Sequence, residues 1–218
     1  MGRDKALLPH PEGSTWLERT LLLLAQLEAP ITLLSRHAEH LERAKALQAK
    51  LKGRGIALEL IPEPSPREGP LLALHRLMER HPEQRLLLCP VDMPDLNLAA
   101  LMQLANSEPS LPGCIRLAHD GERLQPMLGL YPSRAPIRAH LAEAVERGER
   151  RLQSWLVELP CQAVPLDPRA IRNVNRPEAD QLADSPSVST MRSQRSSSAS
   201  TRASSSCRGA GSGKGPSS

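Results

Sequence analysis

Apolar residues recur along this chain in two alternating rhythms, short unbroken runs and stripes spaced three or four residues apart. Leu17, Leu21, Leu24 and Leu27 mark one face of a helix, and Thr15 and Glu18 carry capping-box spacing at its start. Pro30 ends it. Residues 31–34 read as a short strand, 39–51 as a helix closed by Gly53 in the C′ position, and 56–61 as the next strand. Residues 62–69 hold three prolines and a glycine and read as a loop. A helix over 71–80 then leads to the run Arg85-Leu86-Leu87-Leu88-Cys89-Pro90-Val91-Asp92-Met93-Pro94.

Strands alternating with helices of this length predict an α/β fold with a parallel sheet covered on both faces. Beyond Asp92 the spacing predicts a helix over 98–105 and a strand over 114–117. Asp120-Gly121 signals a tight turn, and 127–131 reads as the returning strand. A helix over 135–147 stops at Gly148, a shorter one covers 151–158, and 161–165 reads as a last strand. Asn173-Val174-Asn175 precedes Pro177, which suits the first turn of a final short helix to Leu182.

The run 85–94 organises the rest. Its unbroken apolar stretch is that of a strand buried on both faces, and Pro90, which donates no ladder bond, stops it. Asp92 then falls at the carboxyl end of a central strand, where open α/β sheets bind ligands. Two readings stand on this stretch alone: a turn or N-cap aspartate, and a Mg²⁺ ligand facing phosphates.

Composition narrows the classes. With no Phe, one Tyr and two Trp, the core is aliphatic, and stacking platforms for single-stranded nucleic acid are absent from the reading. The net charge of +4 misleads, because residues 185–218 carry five basic residues and no acidic ones. Residues 1–184 hold 23 basic against 24 acidic residues, which speaks against a nucleic-acid partner. In the segment 185–218, 14 of 34 residues are Ser, too little apolar surface to offset ordering, so it is expected to be a disordered Ser/Arg/Gly-rich tail after a domain spanning 1–184. An Arg/Ser RNA-binding role for that tail stands against an unselected extension, and the latter is preferred. Cys89, Cys114, Cys161 and Cys207 are far apart without ligand spacing, which reads as thiols in a reducing compartment. No apolar run reaches membrane length and no signal peptide is visible, so a soluble, cytoplasmic monomer is expected.

Several polar groups could carry chemistry, each with a bland alternative. Lys5, in Gly2-Arg3-Asp4-Lys5, could offset phosphate charge or be solvated. His119-Asp120-Gly121-Glu122-Arg123-Leu124-Gln125-Pro126 is a polar hairpin tip that could hold a polar substrate or be a surface turn. Gly148-Glu149-Arg150-Arg151 follows a helix, where basic residues also favour the C-terminal dipole. Asn173 and Asn175 could be helix caps.

In order, these pieces carry more. Gly2-Arg3-Asp4-Lys5-Ala6-Leu7-Leu8, Glu63 with Gly69-Pro70-Leu71, Cys89 to Pro94, His119 to Arg123, Gly148 to Arg151 and Asn173-Val174-Asn175-Arg176-Pro177-Glu178 together resemble the molybdenum cofactor guanylyltransferases, the MobA-like nucleotidyltransferases, over about residues 1–182. The resemblance implies a Rossmann-like three-layer fold with a mostly parallel sheet, and Mg²⁺-dependent transfer of GMP from GTP to molybdopterin cofactor with release of pyrophosphate. It makes Lys5 the phosphate-contacting lysine and Asp92 the magnesium ligand, both catalytic. Glu63 falls near a nucleotide-contacting acidic position usually held by Asp. Asn175 is expected at the metal and phosphates, while Asp120, Arg123, Gln125 and Arg150 would face the pterin cofactor. Molybdoenzyme chaperones are conceivable partners.

The chain also departs from the pattern. The family begins with a strand and a Leu-Ala-Gly-Gly loop just before the segment that opens this chain, and that first strand belongs in the middle of the sheet. Met1 is therefore expected to be an internal methionine of a longer protein, and the sheet to be left with two unpaired edges. Arg176 stands where Thr is usual and Leu33 near a usual nucleotide-contacting Asn, which keeps CMP transfer to the same cofactor open. A non-catalytic remnant that binds cofactor or a chaperone is the reading from another class.

Overall fold

The computed structural model describes residues 4–11, 14–64 and 69–174, all within one compact unit, Met1–Pro177. Asn175, the expected final helix and the Ser-rich tail lie outside the described residues. After a 3₁₀ turn, Lys5–Leu7, the elements are α1 (Trp16–Leu24), β1 (Ile31–Ser35), α2 (Ala38–Lys52), β2 (Leu58–Pro62), α3 (Pro70–Arg80) and β3 (Arg85–Leu88). The second half follows with α4 (Leu98–Ala105), β4 (Ile115–His119), β5 (Leu124–Pro132), α5 (Ala135–Glu146), α6 (Leu152–Leu156) and β6 (Cys161–Pro165). No helix among the described residues is long and apolar enough to cross a membrane.

Local signals act where the sequence puts them. Thr15 accepts from the Glu18 backbone N–H while Glu18 accepts from that of Thr15, closing the capping box of α1. Two helix ends differ from expectation. A 3₁₀ turn, Ala25–Leu27, extends α1 and ends on Glu28 in the left-handed region, at φ 54°, before Pro30 is reached. Gly53 keeps a right-handed helical φ of −61°, and the left-handed residue that turns the chain out of α2 is Gly55. Two glycines separated by one residue offer the reversal at either position, and the later one takes it.

The sheet is divided. β1 and β2 form a parallel pair, and a separate sheet runs β3–β5–β4–β6. Within the latter, β5 is antiparallel to β3 and β4 while β6 is parallel to β4, so β5 alone opposes the common direction. Among the described residues β1 pairs only with β2, and β3 only with β5. The strand expected at the centre is thus an edge of its sheet among the described residues. β3 is nevertheless covered on both faces, which explains its unbroken apolar run. Leu86 and Leu88 pack with Leu71, Leu74, Met78 and Trp155 from α3 and α6, whereas Leu87 and Cys89 pack with Leu101 and Leu104 of α4. A third cluster joins Leu17 and Leu21 of α1 with Ala44 and Leu51 of α2 and with Ile31 and Leu58. Across the divide, Thr32 Oγ1 lies 2.9 Å from His81 Nε2, and Glu59 accepts from Arg80 at 2.6 Å.

Candidate functional site

The direction shared by β3, β4 and β6 sends their carboxyl ends to one edge. That edge carries Asp92 after β3, the 119–124 turn after β4 and residues 166–174 after β6. Packing and one backbone bond draw the first and last together. The Val174 N–H donates to the Asp92 carbonyl at 3.1 Å, and Val174 is buried against Leu8 and Trp16. The segment 173–174 is therefore fixed beside Asp92. Arg172 pairs with Asp95 at 3.2 Å on the same rim.

Lys5 reaches this region through its neighbour. Ala6 is buried in the α1–α2 cluster, and Val91, next to Asp92, packs on that same cluster. Asp4 caps the 3₁₀ turn by accepting from the Ala6 N–H at 3.1 Å. Lys5 and Asp92 are half-buried, and the Asp92 carboxylate makes no hydrogen bond or ion pair among the described residues. An uncompensated carboxylate at a strand end is an available oxygen ligand. Beside it, burial pushes the Cys89 thiol up to about 12, so this cysteine stays protonated and does not act as a nucleophile.

Glu63 follows β2, with its N–H donating to the Ser35 carbonyl at 2.9 Å and its carboxylate 3.9 Å from Arg76. Ser35, at the end of β1, opens a polar chain. Its Oγ lies 2.9 Å from His40 Nδ1, and His40 Nε2 lies 2.9 Å from Asp4 Oδ2. Sequence reasoning missed this group, because Asp4 lies 36 residues from His40 in the chain. The only trace was two histidines one helical turn apart, His37 and His40.

The four groups assigned to the cofactor fall into two places. Asp120 Oδ1 accepts from the backbone N–H groups of Arg123 at 2.9 Å and Glu122 at 3.0 Å, and Oδ2 accepts from Gln125 Nε2 at 2.6 Å. These bonds, the Arg123 backbone bond first, hold its carboxyl down at about 2. Asp120 is thus the organiser of the turn. The Arg123 side chain, 76% exposed, keeps its Nε 3.6 Å from Asp120 Oδ2 on the surface of the turn. Arg150 donates its guanidinium N–H to the Val145 carbonyl at 3.2 Å and the Glu149 carbonyl at 2.8 Å, bonding the end of α5 as a helix-terminal cation does. Its backbone meets α3 at Gly69, where an added Cβ would stand 3.0 Å from the Arg150 carbonyl and φ is +86°. The Gly69 and Gly148–Arg151 motifs, far apart in sequence, are therefore in contact.

Comparison with known proteins bears on the family and the fold. Residues 1–163 match the model of the MobA-like NTP transferase domain. A protein of Rhodopirellula baltica described as a probable molybdenum cofactor guanylyltransferase is 32% identical over 182 residues, covering 81% of this chain and 82% of its own. One of Synechococcus elongatus with the same description is 28% identical over 81% of this chain and 88% of its own. Among solved structures, molybdopterin-guanine dinucleotide biosynthesis protein A from Archaeoglobus fulgidus superposes with a TM-score of 0.57 at 17% identity, covering 84% of this chain and 90% of its own. The 2-C-methyl-D-erythritol 4-phosphate cytidylyltransferase of Thermus thermophilus gives 0.51 at 15%, over 84% and 93%. These two share the fold, a Rossmann-like nucleotidyltransferase architecture. Matched to that domain from residue 1 to 163, and 32% identical to the Rhodopirellula baltica protein over 182 residues, this chain belongs to the MobA-like NTP transferase family of nucleotidyltransferases.

Proposed function

We propose that this chain transfers the GMP moiety of GTP to molybdopterin cofactor, giving the guanine dinucleotide cofactor and pyrophosphate, in molybdenum cofactor biosynthesis. The descriptions of its relatives support the reaction class, and one observation supports the site: the Val174 N–H bond to the Asp92 backbone carbonyl, which holds residues 173–174 beside a residue whose carboxylate has no partner among the described residues. A terminal phosphate oxygen of the cofactor attacks the α-phosphorus of GTP. The new P–O bond forms as the bond to the bridging oxygen breaks, and pyrophosphate leaves. Lys5 contributes positive charge at the phosphates, and Glu63 contacts the nucleotide. Arg123 and Gln125 on the hairpin, with Arg150 on the rim, face the pterin.

The donor set suits Mg²⁺, which takes oxygen ligands and is commonly held by one or two carboxylates with phosphates and water completing its shell. Asp92 and Asn175 would hold it. When bound, the metal supplies neutralisation of the developing phosphate charge. The protein's share is to orient the two phosphates for in-line attack.

The test uses the full chain with Mg-GTP and molybdopterin cofactor, and detects the dinucleotide and pyrophosphate by mass spectrometry. Asp92→Ala is expected to lower turnover by about 10²-fold or more with an unchanged circular dichroism spectrum. Activity retained in that variant would sink the metal assignment. Turnover with CTP as good as with GTP would replace guanylyl by cytidylyl transfer, and GTP binding without product would favour a non-catalytic role.

A further inference from the structure

We propose that the Asp4–His40–Ser35 chain is a positioning device for Lys5, with His40 the positioning residue that ties the lysine's segment to the carboxyl end of β1. The inference rests on the reading of Lys5 as a phosphate-contacting group. Three separate pieces of the fold meet in the chain: the 3₁₀ turn carrying Lys5, the end of β1 and the first turn of α2.

Proton positions follow from which atoms are able to donate. The Asp4 carboxylate only accepts, so His40 Nε2 carries the hydrogen of their 2.9 Å contact. In the neutral imidazole Nδ1 is then an acceptor, and the Ser35 hydroxyl donates to it at 2.9 Å. The Ser35 oxygen in turn accepts the His37 N–H at 3.2 Å. Every member is satisfied without a charged histidine. His37 adds a second ring, 4.8 Å from that of His40 between centroids, with Nδ1 4.0 Å from Asp4 Oδ2.

The geometry brackets one residue. Asp4 spends Oδ2 on His40 and Oδ1 on the Ala6 N–H, while Ala6 itself is buried against the α1–α2 core. Lys5 therefore sits between a polar anchor on its N-terminal side and an apolar anchor on its C-terminal side. A lysine side chain has four rotatable bonds, so the placement of its ammonium depends on a fixed backbone. Loss of the histidine would leave Asp4 and Ser35 half-buried or buried without a shared partner, and partly satisfied networks of this kind lose their rigidity. The alternative of a Ser–His–Asp nucleophile does not suit the burial. Ser35 and His40 are only 6% and 8% exposed, and the Ser35 oxygen already accepts a backbone N–H.

The experiment is a double-mutant cycle on the full chain, with the dissociation constant of Mg-GTP measured by calorimetry and folding followed by thermal melting. Lys5→Ala is expected to weaken binding, and His40→Ala to weaken it about tenfold in the unaltered background but less than about twofold in the Lys5→Ala background. His40→Gln, which keeps a donor toward Asp4, should restore most of the loss, whereas His40→Asn, too short to reach Asp4, should not. Equal losses in both backgrounds, or no loss from His40→Ala, would overturn the positioning role while leaving Lys5 at the phosphates. Unchanged binding in Lys5→Ala, or no binding of Mg-GTP by the unaltered chain, would remove the parent reading and this one with it.

Discussion

β4 is paired on both sides, by β5 and β6, and its faces are buried by α3 and α6 on one side and α4 on the other. β1 is paired on one side only among the described residues, and its half of the molecule is fastened to the rest by side chains: Thr32 to His81, Glu59 to Arg80, and the Arg19 guanidinium to the Leu96 carbonyl at 2.8 Å. The same contrast runs through the site. Asp120, Gln125 and Arg150, on the four-stranded half, spend polar atoms on the protein itself. Among the described residues Asp92 leaves its carboxylate uncommitted where the two halves approach each other, and Lys5 rides on a polar chain belonging to the two-stranded half. Rigid groups frame this site from one side, and groups available for chemistry enter from the divide.

The largest expected effect tests whether the halves are separable. Leu74 is fully buried in α3 against the four-stranded sheet, and Leu74→Ala is expected to cost about 2–5 kcal/mol through lost burial and a cavity. The two tryptophans make the comparison measurable, because Trp155 lies in that core and Trp16 in a small cluster with Leu8 and Val174. Urea unfolding of Leu74→Ala should shift the Trp155 signal, seen in a Trp16→Phe background, more than the Trp16 signal seen in Trp155→Phe. Equal shifts would mean one cooperative unit and would erase the distinction between halves.

A smaller effect comes from Gly129 on β5. An added Cβ there would stand 2.7 Å from Leu117 Cδ2, 2.9 Å from Tyr131 and 3.0 Å from the Arg116 carbonyl. Gly129→Ala should therefore cost about 1–3 kcal/mol by overpacking, read as a lower melting temperature with the Mg-GTP affinity retained. An unchanged melting temperature would show that β4 and β5 yield more easily than their pairing suggests.

Much of this architecture was legible because it is local. The strand Cys161–Pro165 and the helix Leu98–Ala105 coincide with their apolar spacing, and the capping box of α1 is present atom for atom. What was not legible depends on distant partners. β5 begins at Leu124, earlier than its apolar run, because Leu124 and Gln125 pair with His119 and Ala118 before the register shifts. The shift accommodates Pro126, which donates no ladder bond and whose carbonyl instead accepts from the Tyr131 hydroxyl at 2.5 Å. The division of the sheet could not be read from periodicity, since an edge strand covered on both faces has the same apolar run as a central one. The position of Asp92 just past the end of β3 was legible from the apolar run before it. The Asp4–His40 bond joins residues 36 apart, and no spacing announces it.

The smallest effect concerns the hairpin's rigidity and carries a definite sign in pH. Backbone bonds from Arg123 and Glu122, then the Gln125 amide and the Arg123 charge, hold the Asp120 carboxyl at about 2 against an ordinary 3.8. A group with a depressed folded value contributes stability that is fully present above its unfolded value and disappears as pH falls through the folded one. Asp120 should thus favour the folded turn at neutral pH without any slope there, and lose that contribution only between about 3.8 and 2. Asp120→Asn removes the titration, so its melting temperature should fall less steeply than that of the unaltered chain across this acid window, while the two profiles run parallel above it. A carboxyl midpoint near the ordinary value, measured by NMR titration of Asp120, would mean that the turn does not hold these bonds in solution. The hairpin would then belong with the adaptable side of the site, and the contrast between a rigid frame and an available centre would fail at its rim.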